Sequence, residues 1–169
     1  MTAPLRRAFL SLGSNLGDRG AALEGARRAL AALPASRLVA ASRIFETAPQ
    51  DLADQPSFLN QVVCLDTALA PRELLAAANA AEVAAHRERG VRFGPRTLDV
   101  DILLIEGVES DDPVLTLPHP RMWQRAFVLV PLADLWSLAR GMPVVDVPAL
   151  ADELARQQAV DVYGGAEAE

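Results

Sequence analysis

Cysteine occurs once, at Cys64, tyrosine once, at Tyr163, and lysine not at all in this chain of 169 residues. A single thiol excludes an internal disulfide and a cysteine-based zinc site, and nothing here points to an oxidising compartment, so the expected location is the cytoplasm. All 16 basic residues are arginine. No P-loop lysine is therefore available, and any side-chain cation that meets a phosphate is a guanidinium fork. Aromatics are scarce at 5%, and 22 acidic residues against 16 basic ones give a formal charge of -6 and a pI near 4.9. That balance repels phosphate backbones and anionic lipid, which argues against nucleic-acid and membrane partners. No apolar run approaches the ~18 residues of a membrane span. The opening Leu5-Arg6-Arg7-Ala8-Phe9-Leu10 looks like a twin-arginine signal, yet its apolar stretch stops at Gly13-Ser14-Asn15, short of the about 7 to 15 residues an export signal needs.

What is present is apolar residues, at 51% of the chain. Size scaling then buries about two-thirds of the unfolded surface, enough for one domain over residues 1–169 without staples. Ala8 to Leu12 reads as a strand that enters a Gly-Ser-Asn loop. Asp18 opens an amphipathic helix, in which Leu23, Ala26, Leu30 and Leu33 recur at spacings of three and four before Pro34. Arg37 to Phe45 and Phe58 to Leu69 read as strands, and Pro71 begins a second helix that runs toward Arg87. Thr97 to Ile105 alternates strictly, with Leu98, Val100, Ile102 and Leu104 on one face and Asp99 and Asp101 on the other. A Pro-His-Pro loop, a buried segment from Ala126 to Leu135 and an acidic tail over about 146–169, fraying after Tyr163, complete the chain. The β-α-β-β-α-β order predicts an α+β, ferredoxin-like antiparallel sheet with its helices on one face, carrying a C-terminal extension.

Asp99 and Asp101 stand two residues apart on a strand, so their Cβ atoms share a face about 6.5 Å apart. Two charges at ~6 Å repel by roughly 3 kcal/mol at an effective dielectric of 20, which calls for a proton or a cation between them. Mg²⁺ suits such an oxygen-only pair, since it keeps several waters and binds through one or two carboxylates with substrate phosphates. The bland alternative is a solvated acidic edge. Arg87, Arg89, Arg92 and Arg96 lie just upstream among Gly90, Gly94 and Pro95, and Arg121 and Arg125 follow beside His119; cations next to paired carboxylates suggest a polyphosphate with its metals. The bland alternative is that these arginines merely pair with Glu82, Glu88 and solvent. Glu82 sits one helical turn before Arg87, placed to orient it or to accept from a ligand hydroxyl. Phe58 and Asn60 share a strand face, and Phe127 offers a second ring, so a flat heterocycle fits between them. Each phenylalanine alone reads more readily as core than as a ligand clamp. Gly13-Ser14-Asn15-Leu16-Gly17 matches neither phosphate-loop pattern.

Four ordered stretches carry a resemblance. Ser11-Leu12-Gly13-Ser14-Asn15-Leu16-Gly17-Asp18, Gln55-Pro56-Ser57-Phe58-Leu59-Asn60, Gly94-Pro95-Arg96-Thr97-Leu98-Asp99-Val100-Asp101, and Pro118-His119-Pro120-Arg121 with Arg125-Ala126-Phe127-Val128-Leu129-Val130-Pro131-Leu132 resemble the motifs of the 6-hydroxymethyl-7,8-dihydropterin pyrophosphokinases of folate biosynthesis. The resemblance spans about 8–135. It implies transfer of diphosphate from ATP to the pterin hydroxymethyl group, giving AMP, with two Mg²⁺ ions. It further implies that Asp99 and Asp101 hold the metals and act in catalysis with Arg87 and Arg96. Glu82, Arg87, Arg89, Arg92, Arg96, Ile102, Thr116, His119 and Arg125 would face ATP, and Thr47, Phe58, Asn60, Phe93 and Phe127 would hold the pterin. A monomer is expected.

Two readings from other classes stay open on sequence alone. One is a module that binds nucleotide or pterin on the same fold without turnover. The other is an RNA-binding ferredoxin-like domain, which would need exposed sheet aromatics and a basic face that this acidic chain does not offer.

Overall fold

The structure is a computed structural model that describes residues 3–48, 56–88 and 97–164. Its centre is β1 (Arg6–Ser14), buried continuously from Ala8 to Ser14 because both of its edges and both of its faces are covered. On one edge lies β5 (Asp99–Ile105) and on the other β4 (Phe58–Thr67), both antiparallel to it. Beyond β4, β2 (Ser36–Ala41) and β3 (Phe45–Thr47) pair at its two ends, and β8 (Val160–Val162) extends the sheet from β3. A hairpin of β6 (Ser110–Asp112) and β7 (Leu115–Leu117) stands apart. The expected second strand, Arg37 to Phe45, is thus two strands. Ser42 makes the break: its backbone N–H donates to Val62 O at 2.8 Å, its hydroxyl accepts from Val62 N–H at 3.0 Å, and its carbonyl accepts from the buried Gln61 side chain at 2.7 Å.

Alternation along β1 sorts the core into two layers. Ala8, Leu10 and Leu12 meet Leu23, Ala26 and Leu30 of α1 (Arg19–Ala31) and Leu74, Ala78 and Ala81 of α2 (Pro71–Glu88). Phe9, with Val62 and Cys64 of β4, meets Val128, Leu129 and Leu132 of α3 (Ala126–Leu135) and Val147 and Ala151 of α4 (Val147–Ala155). Local chemistry starts the first two helices at the expected residues. Asp18 caps α1 by accepting from Ala21 N–H at 2.9 Å, and Glu73 accepts from Ala70 N–H at 2.9 Å ahead of Pro71. Cys64 is fully buried, and that burial pushes its thiol up to about 11, so it serves as core.

The expected pair of helices on one face is present as α1 and α2, but α3 and α4 cover the other face as well, and residues 147–162 of the acidic tail fold as α4 and β8. Asp146 caps α4 by accepting from Ala149 N–H at 3.1 Å, and Val147, Leu150, Ala151 and Leu154 turn inward at helical spacing. Fraying beyond Tyr163 concerns residues that are mostly outside the described set. The strict alternation of β5 also fails. A register shift opposite Phe9 and Leu10 inserts one extra residue, so Leu103 and Leu104 both face the α3/α4 layer and Ile105 returns to the α1/α2 layer.

At the end of β1 remote from its Gly-Ser-Asn exit, Asp66 is buried to 2% side-chain exposure and held by arginines. Arg7 donates to both its oxygens, at 2.9 and 3.0 Å, and Arg37 adds a bond at 3.0 Å. Arg7 also donates to Leu138 O at 3.0 Å and, from its backbone, to Glu106 at 2.8 Å. The hydrogen bond from Arg7, reinforced by Arg37, holds the Asp66 carboxyl below the usual range against the opposing effect of burial. Replacing Asp66 by Asn leaves Arg7 without its partner and is expected to cost about 3 kcal/mol in urea unfolding. A carboxyl lowered in the folded state stabilises above its unfolded pKa and loses that contribution as pH falls below about 4. Asp66→Asn should therefore show a shallower loss of melting temperature between neutral and acid pH than the parent; an unchanged acid limb would refute the assignment.

Candidate active site

Strand register assembles the site before any side chain is considered. Gly13 of β1 lies between Asp99 of β5 and Asn60 of β4, Ser11 lies beside Asp101, and Thr47 of β3 pairs with Phe58 of β4. These residues face the α3/α4 side, at the end of the sheet that the apolar layer leaves open. There α3 begins, and its entrance brings Arg125 and Phe127 opposite the strands. The result is a cavity of about 300 Å³ lined by Ser11, Gly13, Thr47, Ala48, Phe58, Asn60, Asp99, Asp101, Arg125 and Phe127.

Gly13 makes this floor possible. A Cβ at that position would stand 3.2 Å from the Asn60 Oδ1, tighter than an ordinary contact, so the missing side chain gives the amide its place. Asn60 is 3% exposed and its Nδ2 donates to Thr47 Oγ1 at 2.8 Å, which fixes the carboxamide plane over the strands. Behind that wall, Arg19 donates to Glu46 at 2.8 Å and to Ser57 O at 2.9 Å, tying together the neighbours of Thr47 and Phe58. The hydrogen bond from Arg19 lowers the Glu46 carboxyl. On the α3 side the Arg125 guanidinium lies over the Phe127 ring, 5.4 Å from its centroid, a cation–π contact that leaves its remaining donors to the cavity.

Asp99 is half-buried and Asp101 exposed at the mouth. His119 is drawn into their field. Burial lowers its imidazole most, with Arg125 and Arg121 adding to the effect and Asp101 opposing it. Nδ1 accepts from Arg121 N–H at 3.2 Å, a bond that requires Nδ1 without a proton and leaves Nε2–H as the ring's donor. Two carboxylates on one strand face are all-oxygen ligands, and among the described residues no group of three or more His, Cys, Asp or Glu side chains gathers to hold a metal. That set fits Mg²⁺, which takes its other ligands from water and phosphate, and does not fit a structural zinc. Nearby, the hydroxyls of Ser14 and Thr97 are buried without a hydrogen-bond partner among the described residues, next to Gly13 and two residues before Asp99.

The structure thus brings together Thr47, Phe58, Asn60, Asp99, Asp101, Arg125 and Phe127, with His119 electrostatically coupled to Asp101. Others stand apart from the cavity. Glu82 accepts from Val100 N–H at 2.8 Å, so it ties α2 to the strand that carries the aspartates and does more than line a helix surface. Thr116 donates to Asp112 O at 2.9 Å within the β6–β7 hairpin. The Ile102 side chain is 4% exposed and packs into the α1/α2 layer. The side chain of Arg87 and residues 89–96, with Arg89, Arg92, Phe93 and Arg96, lie outside the described residues. Ser11 and Gly13 were not singled out as floor residues; the signal was the glycine at the end of an apolar strand, which marks a close approach.

Among the described residues no helix is long and apolar enough to cross a membrane. Comparison with known proteins places this arrangement. The family model described as 7,8-dihydro-6-hydroxymethylpterin-pyrophosphokinase matches residues 9–137. A 2-amino-4-hydroxy-6-hydroxymethyldihydropteridine pyrophosphokinase of Pseudomonas aeruginosa is 48% identical over 131 residues, 78% of this chain and 81% of the relative. The protein of the same name from Methylorubrum extorquens is 47% identical over 131 residues, 78% of this chain and 83% of the relative. A crystal structure of Plasmodium falciparum HPPK-DHPS superposes with a TM-score of 0.68 at 13% identity, over 92% of this chain and 46% of that one. This chain therefore spans less than half the length of that solved protein, and the likeness speaks to the fold. With the motifs in register on that fold, the chain belongs to the 7,8-dihydro-6-hydroxymethylpterin-pyrophosphokinase family.

Proposed function

We propose that this chain transfers the β,γ-diphosphate of ATP to the hydroxymethyl oxygen of 6-hydroxymethyl-7,8-dihydropterin. The observation that carries the reading is one cavity in which the paired carboxylates of β5 adjoin an amide and two phenyl rings beneath a guanidinium. In the reaction a bond forms between the pterin oxygen and the β-phosphorus, the bond from that phosphorus to the α,β-bridging oxygen breaks, AMP leaves and the hydroxyl proton is released. Phe58 and Phe127 offer faces to the fused ring. Asn60, its plane set by Thr47, offers a donor and an acceptor to the amino and oxo groups of the pyrimidine edge. Confined in this way, the hydroxymethyl group is directed toward Asp99 and Asp101.

Asp99 and Asp101 would hold two Mg²⁺ ions, which when bound supply positive charge to the bridging and leaving oxygens. Asp101 is also placed to take up the hydroxyl proton. Arg125 presents a planar donor set to phosphate oxygens from above the Phe127 ring, and His119 adds a neutral N–H on the same side. By the same reading Arg87, Arg89, Arg92 and Arg96 offset charge on the triphosphate, Arg87 and Arg96 at the reacting phosphates, while Glu82, Ile102 and Thr116 belong to the nucleotide side and Phe93 to the pterin side. The enzyme works as a cytoplasmic monomer on two small molecules.

A coupled assay with ATP, Mg²⁺ and the reduced pterin alcohol should yield AMP and the pterin diphosphate in equal amounts. Binding of both substrates without AMP would instead favour the module without turnover. Asp99→Ala and Asp101→Ala should each lower kcat by about 10³-fold or more while the melting curve is retained, since the charge at the transferring group is lost; near-normal turnover in both removes the metal role. Asn60→Ala should raise KM for the pterin by about tenfold with kcat and KM for ATP little changed, as expected for a lost pair of hydrogen bonds. A change confined to KM for ATP would place the heterocycle elsewhere.

A further inference from the structure

The chain beyond residue 137 is outside the stretch that the family model matches, and one side chain there reaches back to the wall of the cavity. Gln158 follows the end of α4, its backbone N–H bonded to Leu154 O at 2.9 Å. Its carboxamide then brackets the entrance of α3. Nε2 donates to Gln124 O at 2.9 Å, and Oε1 accepts from Ala126 N–H at 2.9 Å. A carbonyl on one side and an N–H on the other admit only this orientation of the amide.

The residue between the two bonds is Arg125. Its backbone is extended (φ -115°, ψ 110°), and Ala126, the first residue of α3, has an N–H that can find no partner within the helix. Gln158 supplies that partner from a distant segment. Arg125 N–H donates to Met122 O at 3.3 Å, its carbonyl accepts from Val128 and Leu129 N–H, and Ala126 is fully buried. Gln158 adds to that framework a tie on the peptide groups to either side of Arg125, beside a second cavity of about 240 Å³ that the described residues Thr47, Ala48, Phe127 and Gln157 to Val160 line.

We infer that Gln158 is a positioning residue for the reaction, acting through Arg125 by holding the peptide groups on either side of it. The inference rests on the function proposed above. It is tested by a double-mutant cycle in the full chain, with kcat/KM for ATP and pterin as the readout. Gln158→Ala should lower kcat/KM about tenfold in the parent and less than twofold when Arg125 is already Ala, because the residue it positions is gone. Gln158→Glu keeps the acceptor for Ala126 N–H but sets a carboxylate against Gln124 O, and should fall between the parent and Gln158→Ala. An unchanged Gln158→Ala, or the same fold-loss in both backgrounds, overturns the inference; the second result is what a merely stabilising contact would give. If Gln158→Ala does not fold, the same comparison with Gln158→Glu decides. A parent that forms no AMP overturns the function instead. The cycle is then read on the Kd for Mg-ATP, where a loss seen only with Arg125 present supports the inference and equal losses in both backgrounds overturn it.

Discussion

Two carboxylates that must share one strand face dictate where everything else in this site can go. Asp99 and Asp101 point to the side of the sheet shared by Ser11 and Gly13, which is also the side covered by α3 and α4. An apolar helix laid over them would bury charge at a cost of many kcal/mol. The α3/α4 layer therefore covers only the far part of that face, over Phe9, Val62 and Leu103, and α3 begins where the aspartates end. The entrance of α3, with its arginine and phenylalanine, becomes the opposite wall as a consequence.

The same constraint accounts for the extra residue in β5. Without it, Leu103 and Ile105 would follow the aspartates onto one face and Leu104 would fall on the other. With it, Leu103 and Leu104 fill the α3/α4 layer and Ile105 rejoins the α1/α2 layer. Strand pairing also survives to the end, where Glu106 N–H donates to Arg7 O at 2.7 Å. Glu82 steadies the other end of β5 through Val100 N–H, so the aspartates sit on a strand pinned at both ends.

How much of this was legible in the sequence depends on the range of the signal. Asp18 and Pro71 announced helix starts because caps are local chemistry, and Asp99 with Asp101 announced a shared face because side-chain alternation is local geometry. The shared face of Phe58 and Asn60 was legible for the same reason. The split between β2 and β3 was not, since it depends on Ser42 bonding to Val62 across the sheet. Nor was the shift at Leu103, which exists only relative to β1. The C-terminal segment misled for a compositional reason. Its acidic residues drew attention from Val147, Leu150, Ala151 and Leu154, whose spacing carries the helix, and from the Asp146 cap before Pro148. A glycine at the end of an apolar strand signals that something approaches Gly13 closely, but the approaching group is Asn60, 47 positions away, and that partner is not displayed along the chain.

Stability and chemistry are placed at opposite ends of the same two strands. Asp66 and Asn60 both belong to β4, six residues apart, which at about 3.4 Å per residue separates them by roughly 20 Å. That exceeds the Debye length of about 8 Å at physiological ionic strength, although low-dielectric core between them screens less than water does. The positive charge of Arg7, Arg37 and Arg140 is moreover largely offset where it stands by Asp66 and Glu106. It contributes little field at the cavity, whose charged lining among the described residues is Asp99, Asp101 and Arg125. The folding network can therefore titrate in acid without setting the charge of the site.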